Sequence, residues 1–314
     1  MSTTVSTAAG VAAATTPAGG PPVRRKQKRK GRYAGLWFVL PAAVVVVVFT
    51  LVPVVYGLGL SFTEYSPLGR TGPQPVGFDN YLALAQDAGF RRSIGVTIRY
   101  TAQVLPVLVA LAMVLAILAN KPFRGIGVFR SALYLPHIVS LTAVSMIWLW
   151  IYSRNGLMNE LLDLLGLGQQ RWLYEPGTAL TAVSVMRVWK ALGSNMVLLL
   201  AGLQSIPRHL YEAARMDGAN AWQQFWHVTL PGLRPMLTYV VTMDVIFLSQ
   251  SFAEIFVLTQ GGPLGSTTTV NYLIYTEAFQ YNQMGTASAM AFVLFALIIG
   301  FSFLSIRGLQ GRNR

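Results

Sequence analysis

Four ionisable side chains lie in stretches of the sequence that are otherwise apolar enough to cross a bilayer. Arg187 and Lys190 belong to one such stretch, and Asp244 and Glu254 belong to a later one. A charge at the centre of a bilayer costs about 3 kcal/mol or more, so it is found where it faces the interior of a helix bundle. The four residues are therefore candidates for ion pairs, for proton carriers or for contacts with a polar solute.

On a helix, each pair of charges belongs to a polar stripe. At 100° per residue the first stripe covers about 60° of arc and the second covers about 120°. Two interpretations are open. One is an ion-pair network that holds the two helices together, and the other is a pathway whose polar groups hydrogen-bond a hydroxyl-rich solute. The stripes contain Arg187, Lys190 and Ser194 on the first helix, and Asp244, Gln250, Ser251 and Glu254 on the second.

Other kinds of chemistry find little support in the sequence. The chain has no cysteine, which excludes disulfides and thiolate metal sites. His137, His209 and His227 lack metal-ligand spacing, so we interpret them as structural. No acid–base cluster and no phosphate-binding GxxxxGK[ST] motif is present. We therefore expect no catalytic residue, no metal site and no cofactor in this chain.

Composition places these residues in a membrane protein. Of 314 residues, 54% are hydrophobic and 11% are charged, whereas a soluble domain carries about 25% charged residues. A spanning helix needs roughly 20 largely apolar residues. The sequence therefore predicts an all-α integral membrane protein with six transmembrane helices. We place them at residues 33–63, 100–120, 131–153, 178–205, 235–258 and 285–306.

The positive charge sets the orientation. The net charge is +13, and seven basic residues crowd into "RRKQKRKGR" before the first span. Sixteen lysines and arginines fall on the side of the N-terminus and five fall on the other. This bias predicts cytoplasmic termini and a membrane anchor rather than a nucleic-acid site. The domains are then a disordered basic tail (1–32), a six-span domain (33–306) and a cytoplasmic C-terminal tail (307–314).

Between spans four and five, the chain inserts the polar stretch "EAARMDGANAWQQFWHVTLP", within a cytoplasmic loop at 207–234. Good helix formers at 208–216 meet the stop signal Asp217-Gly218. Asn220 and Gln223 make a capping-box restart, and Pro231 is expected to end the second helix. Trp222, Phe225 and Trp226 form one aromatic face. This helix–turn–helix must cover that face with the membrane interface or with another protein.

The insert resembles the EAA signature of permease subunits of ATP-binding-cassette (ABC) importers. The matching positions are Glu212-Ala213-Ala214, Gly218 and the closing Leu230-Pro231. Flanking stretches such as "GLQSIPRHLYEAARMDGA", "VLTQGGPLGSTTTVNYLIYTEAF", "VGFDNYLALAQD" and "RSALYLPHIVSLTAVSMIWLWIY" are similar to the sugar branch of that family, and the likeness extends from about residue 35 to 307.

The resemblance implies a non-catalytic membrane subunit that imports sugars, that is mono- or oligosaccharides or polyol-phosphate-like solutes. The short helix would dock in a groove of a cytoplasmic ABC ATPase, which binds the ATP and Mg²⁺. There Glu212 would pair with a basic residue, Ala213 and Ala214 would allow close approach, and Asp217-Gly218 would form a rigid reversal. A second homologous permease and an extracytoplasmic solute-binding protein facing the "TQGGPLGS" loop would complete the importer.

The resemblance also implies a solute pathway lined by the spans that flank the insert, and it adds Asn195 to the candidate residues. The alternative function is an ion-coupled secondary transporter in which Asp244 and Glu254 carry protons. Such carriers usually show inverted repeats with broken spans in matching positions. The sequence shows no such symmetry, and a cytoplasmic docking helix would have no purpose in that alternative.

Overall fold

The computed structural model describes residues 34–310. The predicted basic tail (1–32) and residues 311–314 lie outside the described part of the chain. The chain divides at Pro53 into two compact units. In the first unit, helix α1 (Ala34–Val46) continues into a π-helical stretch at Val47–Leu51. Helix α2 (Val52–Leu60) follows.

Among the described residues of the second unit, the regular secondary structure is helical apart from one short hairpin. Its strands β1 (Thr63–Glu64) and β2 (Gln74–Pro75) pair antiparallel with Thr63 opposite Pro75. The helices of this unit are, in chain order, α3 (Asp79–Gln86), α4 (Ala88–Ala119), α5 (Ile126–Ile138), α6 (Leu141–Ile151), α7 (Leu157–Leu164), α8 (Ala179–Ser205), α9 (Arg208–Met216), α10 (Ala221–Gln224), α11 (Leu230–Ser249), α12 (Ala253–Leu258), α13 (Val270–Tyr275) and α14 (Met284–Gln310). Further π-helical stretches lie at Phe225–Thr229 and Thr276–Gln280.

The described residues contain five helices that are long and apolar enough to cross a membrane, and a sixth span if the bent pair α5–α6 is counted as one. The prediction of an all-α, six-span protein is therefore confirmed. The second span begins at Ala88 rather than near residue 100. The five continuous spans are Phe38–Leu60, Ala88–Ala119, Ala179–Ser205, Ala221–Ser249 and Met284–Ser305.

The third span is broken, so the prediction of one continuous helix over 131–153 is wrong. Helices α5 and α6 meet at 98°. Val139 and Ser140 between them have ψ angles of 143° and 136°, which are extended rather than helical. Pro136 lies in the last turn of α5 and cannot donate a backbone hydrogen bond there. The break leaves backbone carbonyl groups without helical partners, and such groups need other donors where water is excluded.

The fifth span also differs from the prediction. It is continuous from Ala221 to Ser249 and ends there, and residues 253–258 form the separate helix α12. Pro231 does not end a helix as expected, because it occupies the first turn of α11. The π-helical stretch before it widens the backbone where the missing N–H of proline falls. The second helix of the predicted helix–turn–helix is thus the beginning of span five.

Buried side chains of the second unit form three hydrophobic clusters. One lies at the end of the bundle that carries the insert, where α4, α8 and α11 meet. A second lies in the middle, among α4, α6, α8, α11 and α12. The third lies at the opposite end, among α3, α4, α13 and α14. The helices α4, α8 and α11 run from the end of the bundle that carries the insert to the region of the charged stripes.

Candidate functional site

The first part of the site is the exposed helix α9. It forms over Arg208–Met216, which confirms the helix predicted for residues 208–216. Glu212 and Ala213 are exposed, and Ala214 is half-buried. Met216 at the end of the helix is 89% exposed. A short helix with an exposed carboxylate, an exposed alanine and an apolar tip offers a small and firm surface to a partner.

The turn after α9 fixes the direction of the chain. The amide of Ala219 donates to the carbonyl of Ala214 at 2.9 Å, and that of Gly218 donates to Arg215 at 3.1 Å. This Schellman-type end requires a left-handed residue, and Gly218 supplies it with φ = +76°. Asp217 lies beside it on the surface. The predicted stop at Asp217-Gly218 is therefore present.

The chain restarts as a helix directly after the turn. The Asn220 side chain accepts from the Gln223 amide at 2.9 Å, and the Gln223 side chain accepts from the Asn220 amide at 2.8 Å. This is the predicted capping box. The hydroxyl groups of Tyr211 and Thr229 lie 3.1 Å apart and join α9 to the start of span five. This contact ties the exposed helix α9 to the helix that continues into span five.

The aromatic face lies at this restart. The rings of Trp222 and Phe225 are 6.1 Å apart, and those of Phe225 and Trp226 are 5.4 Å apart. Trp222 remains 69% exposed and Trp226 47% exposed. Leu230, at the far end of the insert, packs on the hydrophobic cluster below. Leu230-Pro231 thus joins the span, whereas residues 212–218 form the exposed surface.

The second part of the site is a polar interior between the spans. The Asn195 side chain on α8 donates to the carboxylate of Asp244 on α11 at 2.8 Å. The Tyr100 hydroxyl on α4 donates to the carboxylate of Glu254 on α12 at 3.1 Å. All four residues are buried. Each acid therefore has a neutral hydrogen-bond donor as its partner.

Gln250 and Ser251 lie at the break between α11 and α12 rather than inside a span. Their backbone carbonyls accept from the side chains of Asn271 at 2.8 Å and Thr269 at 2.9 Å. The Gln250 side chain is exposed. The Ser251 hydroxyl is buried, and it has no hydrogen-bond partner among the described residues. The exposed Gln250 side chain therefore retains hydrogen-bonding capacity for another molecule, whereas the Ser251 hydroxyl is enclosed by protein.

The ion-pair network, one of the two interpretations left open for spans four and five, is absent from the contacts of the described residues. Lys190 instead donates to three backbone carbonyls at the break of the third span, those of Pro136, His137 and Val139, at 3.2, 3.3 and 2.7 Å. The Nε of Arg187 is buried without a hydrogen-bond partner within residues 34–310. The break offers carbonyls to the lysine, and the two acids are already paired with neutral donors.

The "TQGGPLGS" loop connects α12 to α13 and is firmly held. The Thr267 hydroxyl donates to the Gly262 carbonyl at 2.8 Å, and the Thr268 hydroxyl donates to the Gly261 carbonyl at 3.0 Å. The Gly262–Pro263 peptide bond is cis. Leu264 at the tip is 86% exposed. The loop therefore presents an apolar tip on a rigid base, at the end of the bundle opposite α9.

Sequence reasoning missed two features of the interior. Tyr100 was not a candidate, because nothing local connects it to Glu254, which is 154 residues away. The break of the third span was also missed, although Pro136 in "YLPHIVS" was a usable signal. Among the described residues, no group of three or more histidines, aspartates or glutamates could hold a metal ion.

Comparison with known proteins gives a consistent result. The family model "Binding-protein-dependent transport system inner membrane component" matches residues 82–313. The chain is 34% identical over 275 residues to the arabinooligosaccharides transport system permease protein AraP of Bacillus subtilis (strain 168), covering 86% of each chain. It is 32% identical over 274 residues to the trehalose/maltose transport system permease protein MalF of Thermococcus litoralis, covering 87% of this chain and 92% of the relative.

A solved structure shares the fold. One chain of a bacterial ABC transporter involved in the import of the acidic polysaccharide alginate aligns with a TM-score of 0.77 and 22% identity, covering 91% of this chain and 98% of that one. The comparisons confirm the predicted resemblance to non-catalytic permease subunits of ABC importers, and they favour it over an ion-coupled carrier. This chain belongs to the family of inner-membrane components of binding-protein-dependent transport systems.

Proposed function

We propose that this permease subunit imports sugars, and that the surface formed by residues 212–218 receives the motion of a cytoplasmic ATPase. The sugar class is supported by the names of relatives, which include an arabinooligosaccharide permease and a trehalose/maltose permease. ATP and Mg²⁺ bind the ATPase, and this chain holds neither. The positive-inside charge bias supports placing both termini and α9 in the cytoplasm.

The observation that carries the coupling role is the rigid link between α9 and span five. A left-handed glycine, a capping box and the Tyr211–Thr229 contact connect the exposed helix to a continuous helix that ends at Ser249. A helix laid in a groove of a partner is a common mode of recognition. A displacement of α9 would then be transmitted along the helix of span five to Asp244, where the polar interior begins.

The proposed solute pathway runs along α8, α11 and the break after Ser249. Hydroxyl-rich solutes are recognised by groups that both donate and accept hydrogen bonds. Gln250 is exposed, so its side chain could serve in that role, and Ser251, which follows it with a buried hydroxyl, is proposed as part of the same pathway. The remaining pathway residues are Asn195, Asp244 and Glu254.

The proposed importer has two partners besides the ATPase. A solute-binding protein delivers the sugar to the face that carries the rigid "TQGGPLGS" loop, and a second, homologous permease completes the pathway. One of the solved alginate-importer structures is a complex with a pentasaccharide-bound periplasmic protein. That precedent supports an extracytoplasmic partner for the present chain.

The test of the coupling role is Gly218→Pro in the assembled importer. Proline fixes φ near −65°, so it cannot adopt the left-handed turn. We expect normal membrane insertion, and loss of the ATP hydrolysis that the loaded binding protein stimulates. Gly218→Asn is the matched control, because asparagine tolerates positive φ and should retain coupling. Coupled transport by the proline variant would contradict the proposal.

A further inference from the structure

The break in the third span leaves a group of carbonyls without helical partners. Helix α5 ends at Ile138, so the carbonyls of its last turn have no amide four residues ahead. Their oxygens also form the negative end of the helix dipole. At membrane depth such a group requires a cation or hydrogen-bond donors.

Lys190 meets this requirement from the neighbouring span. Its ammonium group contacts the carbonyl oxygens of Pro136, His137 and Val139 at 3.2, 3.3 and 2.7 Å. An ammonium has three N–H donors, so its donors are fully used by these three acceptors. The side chain is only 7% exposed. The ammonium group of Lys190 thus has no free donor for a solute, whereas the side chain of Gln250 is exposed.

A close approach between helices α8 and α5 brings Lys190 to the break. Gly193, one turn further along α8, lies so close to α5 that a Cβ would collide with the carbonyl of Leu133. This close approach lets the lysine stem reach the end of α5. Half-helices in transporters often use such carbonyls to hold a free monovalent ion. In this chain, the ammonium group of Lys190 supplies the positive charge in place of a free ion.

The break lies next to the residues of the pathway. Trp148 of α6, about two turns beyond the break, contacts Trp189 of α8 with ring centres 5.6 Å apart. Helix α8 also carries Asn195, which bonds Asp244. Helix α8 therefore contacts both α5 and α6 as well as the polar interior.

We propose that Lys190 is a tethered cation that holds the bend between α5 and α6, so that it is a positioning residue for the solute pathway rather than a contact of the solute. The carbonyls of Pro136, His137 and Val139 form a cage that would accept a small ammonium ion in place of the lysine side chain. The link to transport rests on the proposed function, whereas the cage itself does not depend on it.

The cage can be tested on the purified chain without any transport. Because the chain has no cysteine, Val128→Cys and Met146→Cys give two unique spin-label sites. Both native side chains are exposed, at 76% and 64%, on either side of the break. We expect a narrow distance distribution with Lys190 present and a broad one in Lys190→Ala. Methylammonium should narrow it again, whereas tetramethylammonium, which has no N–H donor, should not.

Two further variants separate charge from packing. Lys190→Met keeps the stem but removes the donors, so it should broaden the distribution and resist rescue because the cage entrance is filled. Lys121→Ala removes an exposed lysine and should leave the distribution unchanged. Distributions that are narrow in both Lys190 variants, or rescue by both ions alike, would overturn the proposal.

The transport link is tested on the assembled importer in proteoliposomes. We expect sugar uptake by Lys190→Ala to fall at least about tenfold, because buried carbonyls lose their donors. Methylammonium should restore part of it. A broadened distribution with normal uptake would retain the tethered cation but overturn its positioning role in the pathway. Absence of uptake in the unaltered importer would instead contradict the proposed function.

Discussion

The insert and the polar interior are both hydrophilic regions of an apolar chain, yet they are built from different contacts. In the insert, the hydrogen bonds that form the turn and the helix restart join residues three to five apart, such as Asn220 to Gln223 and Ala219 to Ala214. In the interior they join residues far apart in sequence: Asn195 and Asp244 are separated by 49 positions, and Tyr100 and Glu254 by 154.

Because of this difference, the effects of substitutions in the two regions should extend over different distances. The insert is exposed and depends on its own capping residues, so changes there should act locally. The interior depends on three or more spans being correctly placed, so a change there should loosen the whole bundle. The proposed function uses both regions: the insert as the surface that meets the ATPase, and the polar interior as the solute pathway.

The largest loss of stability is expected from Gly193→Ala. A Cβ at this position would collide with the Leu133 carbonyl, which belongs to backbone and cannot move aside freely. We expect a cost of about 3 kcal/mol, because overpacking forces backbone shifts. The apparent melting temperature in detergent measures it. Gly95→Ala is the matched control, since nothing lies within 4 Å of a Cβ there. Equal melting temperatures of the two variants would contradict the close approach.

The next largest effect is expected from Asn195→Leu. It leaves the buried Asp244 carboxylate without its donor and should cost about 2 kcal/mol. Replacing both residues by leucine should restore most of the loss, because no buried polar group is then left unpaired. A double-mutant cycle of melting temperatures measures the coupling between the two residues. A coupling near zero would contradict the contact.

The smallest loss is expected from Asn220→Ala, which removes the capping box of the insert. Loss of such a cap costs about 1 kcal/mol. We expect faster hydrogen exchange confined to residues 220–224, and unchanged protection in α8 and α11. Protection lost equally across the spans would show that the insert is not the local structure described above.

The same distinction explains what the sequence could predict. The helix over residues 208–216, the glycine turn and the capping box depend on neighbours in sequence, so their residue types predict them directly. The break of the third span was missed because a run of apolar residues is typical of a continuous helix. The carbonyl partners of Lys190 could not be predicted, since they come from another span. After span five ends at Ser249, the next two carbonyls accept from the side chains of Asn271 and Thr269, and no local pattern indicates these contacts.

The claim that the insert meets the ATPase can be tested most directly with Glu212→Cys, which creates a single thiol in a chain without cysteines. A thiol-to-amine cross-linker of short reach is applied to the assembled importer in membranes. We predict a cross-link between residue 212 and the ATPase subunit, and none from Leu264→Cys at the opposite end of the bundle. A cross-link to the ATPase from residue 264 and not from residue 212 would contradict the account.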